Sequence, residues 1–419
     1  MRHLGLRTSD PHSVWTVHVK EKPSSTDYQD AVKRLSLWVG GLDSPALVAA
    51  LTAVAAIGFV IARLELVAHG DISRFIDVGS AFSNPAQLPH GVAIVPGGGY
   101  DGEFYYRLAL DPADLHRYAF GITLDNAYRL QRITYSVLAW LTAGGQQRLV
   151  PYSLVAVNVL ALTVLAWLSG ALSRASGRKA IWGLLIVGYF GFLFSLGRDL
   201  TEICEACFVV AGLLALRHRR PVLAGGVLAA AVLSRETALV VVAGVAFVSV
   251  VDIARRRRRP GWWDVAWLLP VIAYVGWQLV GLAAYGSLPL KSDSDNNLTY
   301  PLTAMVDAIG HYFQLLPSQH AVIWIVEAGL LMLVASLAAV TLRISRSTTA
   351  EKVAWAVSVL FVLCLSRTIW YSHADFRGFE DVYVLSVVIL LGSDRRLGAL
   401  AGIVTAVWLT VFVHRVLFF

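Results

Sequence analysis

The chain has 419 residues, of which 57% are hydrophobic and only 15% charged, with a mean hydropathy of +0.62. Ordinary soluble domains carry about 25% charged residues, so these values exclude a soluble globular protein and call for lipid as the solvent. The net charge of +7 does not point to nucleic acid, because the basic residues sit in short loops between apolar blocks and not on a soluble domain.

Residues 1–43 are polar and are read as a cytosolic N-terminal tail. The first apolar block is too long for the core of a signal peptide. A spanning helix is predicted over 44–66, opening a membrane-embedded domain over 44–419. The polar stretch 67–148 is expected to be a first extracytoplasmic loop carrying short surface helices. Within it, Ile133–Thr142 is apolar but short of the roughly 20 residues that cross a bilayer at about 1.5 Å per residue. It is read as a half-helix lying on the outer surface or dipping into it.

Further apolar blocks follow at about 149–173, 180–197, 200–216, 222–234, 237–254, 262–285, 320–342, 352–369, 381–392 and 397–414, with a second extracytoplasmic loop at 286–319. If the half-helix does not span, 22 of the 35 Lys and Arg residues fall in the tail and inner loops, as the positive-inside tendency requires. The expected fold class is therefore an all-α polytopic membrane protein with eleven spanning helices, N-terminus inside and C-terminus outside. This arrangement places Asp71, Asp77, Asp101, Glu103, Asp199, Glu202, Glu236, Asp375, Glu380 and Asp381 together on the outer face, although it rests on Lys and Arg alone. Carboxylates at helix ends beside a membrane are costly and are candidates for function.

Four motifs carry these residues. Gly70-Asp71 and Tyr100-Asp101-Gly102-Glu103-Phe104-Tyr105-Tyr106-Arg107 lie in the first loop, the second after the turn-forming run Gly97-Gly98-Gly99. Asp101 is placed to cap a short amphipathic helix or to serve as a rigidly held base. Gly197-Arg198-Asp199-Leu200-Thr201-Glu202 joins two apolar blocks; its carboxylates suit the first turn of the following helix, where negative charge is favoured. Ser234-Arg235-Glu236-Thr237 interrupts an apolar run and reads either as a self-neutralising pair or as an anion site. Ser366 to Asp381 gathers Arg367, His373 and Arg377 beside aromatics and carboxylates, an interfacial belt or another cation site. In the second loop, Asp293 and Asp295 are spaced to hold a cation, which spacing alone supports weakly. Cys204 and Cys207 lie within a predicted membrane helix with no companion Cys/His pair, so packing is their expected role.

No Walker A, Rossmann or zinc-protease motif is present. An outer-face reaction without nucleotide needs an activated donor delivered by the membrane, and a lipid phosphate meets that need.

The plan resembles that of the GT-C membrane glycosyltransferases, which use polyprenyl-phosphate-linked sugars. It is more specifically similar to a bacterial family of predicted cell-surface glycopolymer formation proteins. Gly70-Asp71, the Tyr100–Tyr106 box, Asp111-Pro112, and Gln131-Arg132 leading to Leu138-Ala139-Trp140-Leu141 carry the likeness, tightly over about residues 67–145. The box departs from that family at Glu103, where Gln is expected.

The resemblance implies a loop-one aspartate as base: Asp101, with Asp71 as second candidate. It implies glycosyl transfer from a polyprenyl-phosphate sugar to a cell-envelope glycan or lipid acceptor, on the outer side of a bacterial cytoplasmic membrane. Arg198, Arg235 and Arg377 are the expected donor-phosphate ligands. Glu103, Tyr105, Tyr106, Asp199, Glu202, Glu236 and His373 are expected to support the site. A divalent cation, Mg or Mn, is compatible with the site and not required by it; no metal ligands are assigned. A transporter of lipid-linked glycan and a non-catalytic scaffold of cell-wall assembly are the alternatives.

Overall fold

The computed structural model describes residues 43–292, 297–372, 374 and 376–417. The polar tail up to residue 42, Asp293, Asp295, His373 and Asp375 lie outside the described residues.

Among the described residues, six helices are long and apolar enough to cross a membrane: Pro45–Leu66, Gln147–Ala175, Glu236–Ala254, Trp262–Tyr285, Gln319–Thr341 and Gly398–Leu417. The pair Ala180–Val187 and Gly191–Gly197, bent by 65°, would make a seventh. The protein is a multi-pass membrane protein. Its helices expose large apolar side chains such as Val54, Ile61, Trp167, Ile272 and Val340, a surface that water disfavours and lipid tolerates.

The other apolar blocks are also helical but shorter: Glu202–Arg217, Pro221–Ser234, Thr349–Leu363 and Glu380–Leu391. At 12 residues the last is the shortest of these, and every residue of it is buried. It packs between Gln319–Thr341 and Thr349–Leu363 at the centre of the bundle. A helix enclosed by protein on all sides faces other helices and not lipid, and its length is free of the bilayer requirement.

The first loop is more ordered than a polar linker. Val78–Gly79 pairs in parallel with Ile94–Val95, and Tyr118–Ala119 pairs antiparallel with Ile122–Thr123. The helix Gly102–Leu110 was expected at the surface with one apolar face. Instead all nine of its residues are buried, because the loop folds over it and the half-helix Ile133–Thr142 packs beside it. Glycines permit this closeness. A Cβ on Gly102 would stand 2.5 Å from the Ile76 carbonyl oxygen and 2.6 Å from that of Arg198, and Gly99 holds φ +60° against the Gly79 backbone. The first turn of this helix is thereby fixed between loop one and the Gly197–Glu202 connection.

Cys204 and Cys207 are both buried and unbridged.

Candidate functional site

A cavity of about 260 Å³ opens where loop one meets the breaks between later helices, lined by Asp101, Tyr128, Arg129, Arg132, Arg235 and Arg377 among others. Asp101 occupies the N-cap position of Gly102–Leu110, yet its side chain caps nothing. Its Oδ1 accepts from Arg129 at 3.0 Å and its Oδ2 accepts from Arg377. Burial works against the charge on Asp101, but the guanidiniums of Arg377, Arg132 and Arg129 outweigh it and hold the carboxyl well below the usual carboxylate range. The Tyr100 ring stands between two cations, with Arg377 5.0 Å and Arg198 5.9 Å from its centroid. Burial, only partly offset by Arg377, raises its hydroxyl to about 12.

The charges continue inward. Arg377 also donates to Glu202 Oε1 at 2.8 Å, and Arg235 donates to the same oxygen at 3.3 Å and to Glu380. On the opposite wall, Arg132 donates two hydrogen bonds to Glu236, at 2.8 and 3.2 Å, and one to the Tyr105 hydroxyl at 3.1 Å. Arg235 and Glu236 were open to reading as a self-neutralising pair. They are neighbours in sequence and partners of different groups in space. Arg235 has an extended backbone, φ −159° and ψ 135°, so successive side chains leave in opposite directions.

The expected site residues therefore divide. Asp101, Arg235, Glu236 and Arg377 line the cavity, Tyr105 borders it through Arg132, and Glu202 lies behind Arg235 and Arg377. Asp71 does not line it: its carboxylate accepts from the Ser73 amide at 3.0 Å and hydroxyl at 2.7 Å, capping the turn Ile72–Phe75. Arg198 pairs with Asp77 behind Tyr100. Tyr106 is 1% exposed within an apolar cluster. Asp199 is buried with neither carboxylate oxygen hydrogen-bonded, and burial pushes its carboxyl up against the opposing charge of Arg63. His373 lies outside the described residues.

Three cavity residues, Tyr128, Arg129 and Arg132, were absent from the expected set. The sequence signals for them are two arginines three apart before an apolar half-helix, which read as an interfacial anchor, and the place of Arg132 in the Gln131-Arg132 motif, which carried the resemblance without assigning a role.

Glu103 is also placed away from the cavity. Its Oε2 accepts from the Gly79 amide at 2.9 Å, and its Oε1 is buried without a hydrogen-bond partner. Burial raises its carboxyl to about 7, against the lowering effect of the Gly79 hydrogen bond and Arg129. A carboxyl raised on folding contributes stability fully below its unfolded value of about 4.3. That contribution is lost as pH rises through about 7. Glu103→Gln should therefore be more stable than wild type at about pH 8, by on the order of 2 kcal/mol, and the gap should close towards about pH 4. Thermal unfolding of both proteins across this range checks it, and a variant that melts below wild type at about pH 8 refutes it.

Comparison with protein-family models, with curated proteins and with solved structures finds no match to this chain.

Proposed function

We propose that the chain is a GT-C-type glycosyltransferase of eleven spans, N-terminus inside, that moves a sugar from a polyprenyl-phosphate donor to an extracytoplasmic cell-envelope acceptor. The observation that carries this reading is a cavity at the loop-one face lined by Arg129, Arg132, Arg235 and Arg377, in which the carboxylate of Asp101 accepts from Arg129 and Arg377 while Glu236 is taken by Arg132. Guanidiniums recognise phosphate through paired hydrogen bonds, and a lipid-linked donor reaches such a cavity from the membrane.

In the proposed reaction the acceptor hydroxyl oxygen attacks the anomeric carbon. The bond from that carbon to the donor phosphate oxygen breaks, and its electron pair stays on the phosphate. Arg377 and Arg129 stabilise the charge developing there. The hydroxyl proton passes to Asp101. Asp101 is a weak base while both its oxygens accept from guanidiniums. A donor phosphate competes for those same guanidiniums, and each hydrogen bond it takes raises the basicity of Asp101. Donor binding thus activates the base.

The test is transfer in membranes containing the protein, supplied with a panel of radiolabelled polyprenyl-phosphate sugars. Label is expected to leave the lipid phosphate for an acceptor fraction with at least one donor. Absence of transfer from every donor sinks the proposal.

One observation favours the transporter reading: the 65° break in the span built from Ala180–Val187 and Gly191–Gly197, since broken spans are common in transporters. Flux of a lipid-linked glycan across reconstituted vesicles, without transfer, would select it.

A further inference from the structure

Behind the back wall of the cavity lies a second cluster that the proposed transfer does not use. Glu205 stands in the first turn of Glu202–Arg217, and Glu380 and Asp381 open Glu380–Leu391. All three are buried, at 0%, 1% and 8% exposure, and one oxygen from each lies within 4.8 Å of the others. Glu205 Oε2, Glu380 Oε2 and Asp381 Oδ2 are each buried without a hydrogen-bond partner. Buried carboxylate oxygens left without a donor are costly unless a cation or proton meets them.

The remaining contacts orient the cluster. The Thr237 hydroxyl donates to Glu205 Oε1 at 3.0 Å, and Arg235 donates to Glu380 Oε1. Glu205 and Glu380 thus each have one oxygen held from behind and one left over, the arrangement by which outer partners aim metal ligands. The local charge points the same way. Four carboxylates, Glu202, Glu205, Glu380 and Asp381, meet two guanidiniums, Arg235 and Arg377, and Arg377 is shared with Asp101. With these carboxylates ionised the cluster carries negative charge in excess of its guanidiniums, which a divalent cation would lower.

We propose that Glu205, Glu380 and Asp381 bind a hard divalent cation, separate from the cavity that holds Asp101. An all-oxygen set suits Mg, Mn or Ca and does not suit zinc, whose sites draw on Cys and His. The span of the cluster fits a single ion, because oxygens on opposite sides of a calcium-sized ion stand about 4.8 Å apart. Its role is structural: by neutralising the cluster it holds Glu380, and through Glu380 it holds Arg235 at the cavity wall. This site does not depend on the transferase reading, and it is measurable without any donor.

The experiment is Mn2+ titration of purified, metal-stripped protein in lipid nanodiscs, followed by the paramagnetic resonance of free Mn2+. Wild type is expected to take up one equivalent, displaced by excess Mg2+ or Ca2+. Glu205→Gln and Asp381→Asn should each weaken binding by at least about tenfold, and Thr237→Ala, which frees Glu205, by about tenfold. Asp101→Asn should bind as wild type does. Loss of binding in Asp101→Asn with retention in Glu205→Gln would move the cation into the cavity and overturn the proposal. If the carboxylate variants do not fold, wild type still decides. Chelation should lower its melting temperature and Mn2+ should restore it, whereas no uptake and no change on chelation would mean that shared protons, and not a cation, neutralise the cluster.

Discussion

Asp101→Asn is expected to lower glycosyl transfer by at least about a hundredfold, the scale of a lost general base, with the folded protein recovered at wild-type levels. Asn keeps the shape of Asp101 and one acceptor oxygen. The two cations it leaves behind each retain another carboxylate: Arg377 still donates to Glu202 at 2.8 Å, and Arg129 still donates to Asp125 at 2.9 Å. Structural damage is therefore limited, and loss of transfer reports on the chemistry. Equal transfer by variant and wild type would remove Asp101 from the reaction. The same substitution has a stability signature of known sign. The Asp101 carboxyl is lowered on folding, so its contribution is present above the usual carboxylate range and is lost as pH falls through the lower folded value. Any stability deficit of Asp101→Asn should appear at neutral pH and vanish in strong acid.

The largest structural effect is expected from Arg377→Ala. Arg377 joins Asp101, at the cavity, to Glu202, whose side chain is 1% exposed. Removing one member of a buried ion pair costs about 3–5 kcal/mol, because the other charge stays buried without its partner. Here Arg235 still reaches Glu202, so the lower end of that range applies, and a loss of about 3 kcal/mol is expected in thermal unfolding. The double variant Arg377→Ala with Glu202→Gln should recover part of the loss, since the stranded charge is gone. Arg377→Ala melting with wild type would show that the network does not hold this face together. Arg377→Lys keeps the charge but not the fork, and it should fold better than Arg377→Ala while transferring poorly.

The helix layout was readable along the chain because lipid imposes a one-dimensional rule. A segment in hydrocarbon must be apolar along its whole length and satisfy its own backbone hydrogen bonds. Pro45–Leu66, Gln319–Thr341 and Gly398–Leu417 accordingly stand within about a turn of the blocks read from hydropathy alone. The short helix Ile133–Thr142 was legible for the same reason, by failing the length requirement. The rule weakens for Glu380–Leu391, which is enclosed by protein.

The pairing of charges obeys no such rule. Asp101 could be picked out by its motif, but nothing near it in sequence announces Arg129 and Arg377, which lie 28 and 276 residues away. Arg235 and Glu236 suggested each other by adjacency, and an extended backbone sends them to different partners, Glu380 and Arg132. Glu205, three residues beyond Glu202, looked like part of an apolar helix until Glu380 and Asp381 were packed against it. Apolarity is a property each segment carries by itself, so hydropathy alone located the long apolar helices, though not the 65° break within the block read as 180–197. An ion pair is a property of two distant side chains brought within a few ångströms, so the partners of Asp101, the retirement of Asp71 to a turn cap and the Glu205–Glu380–Asp381 cluster came into being only when the helices packed.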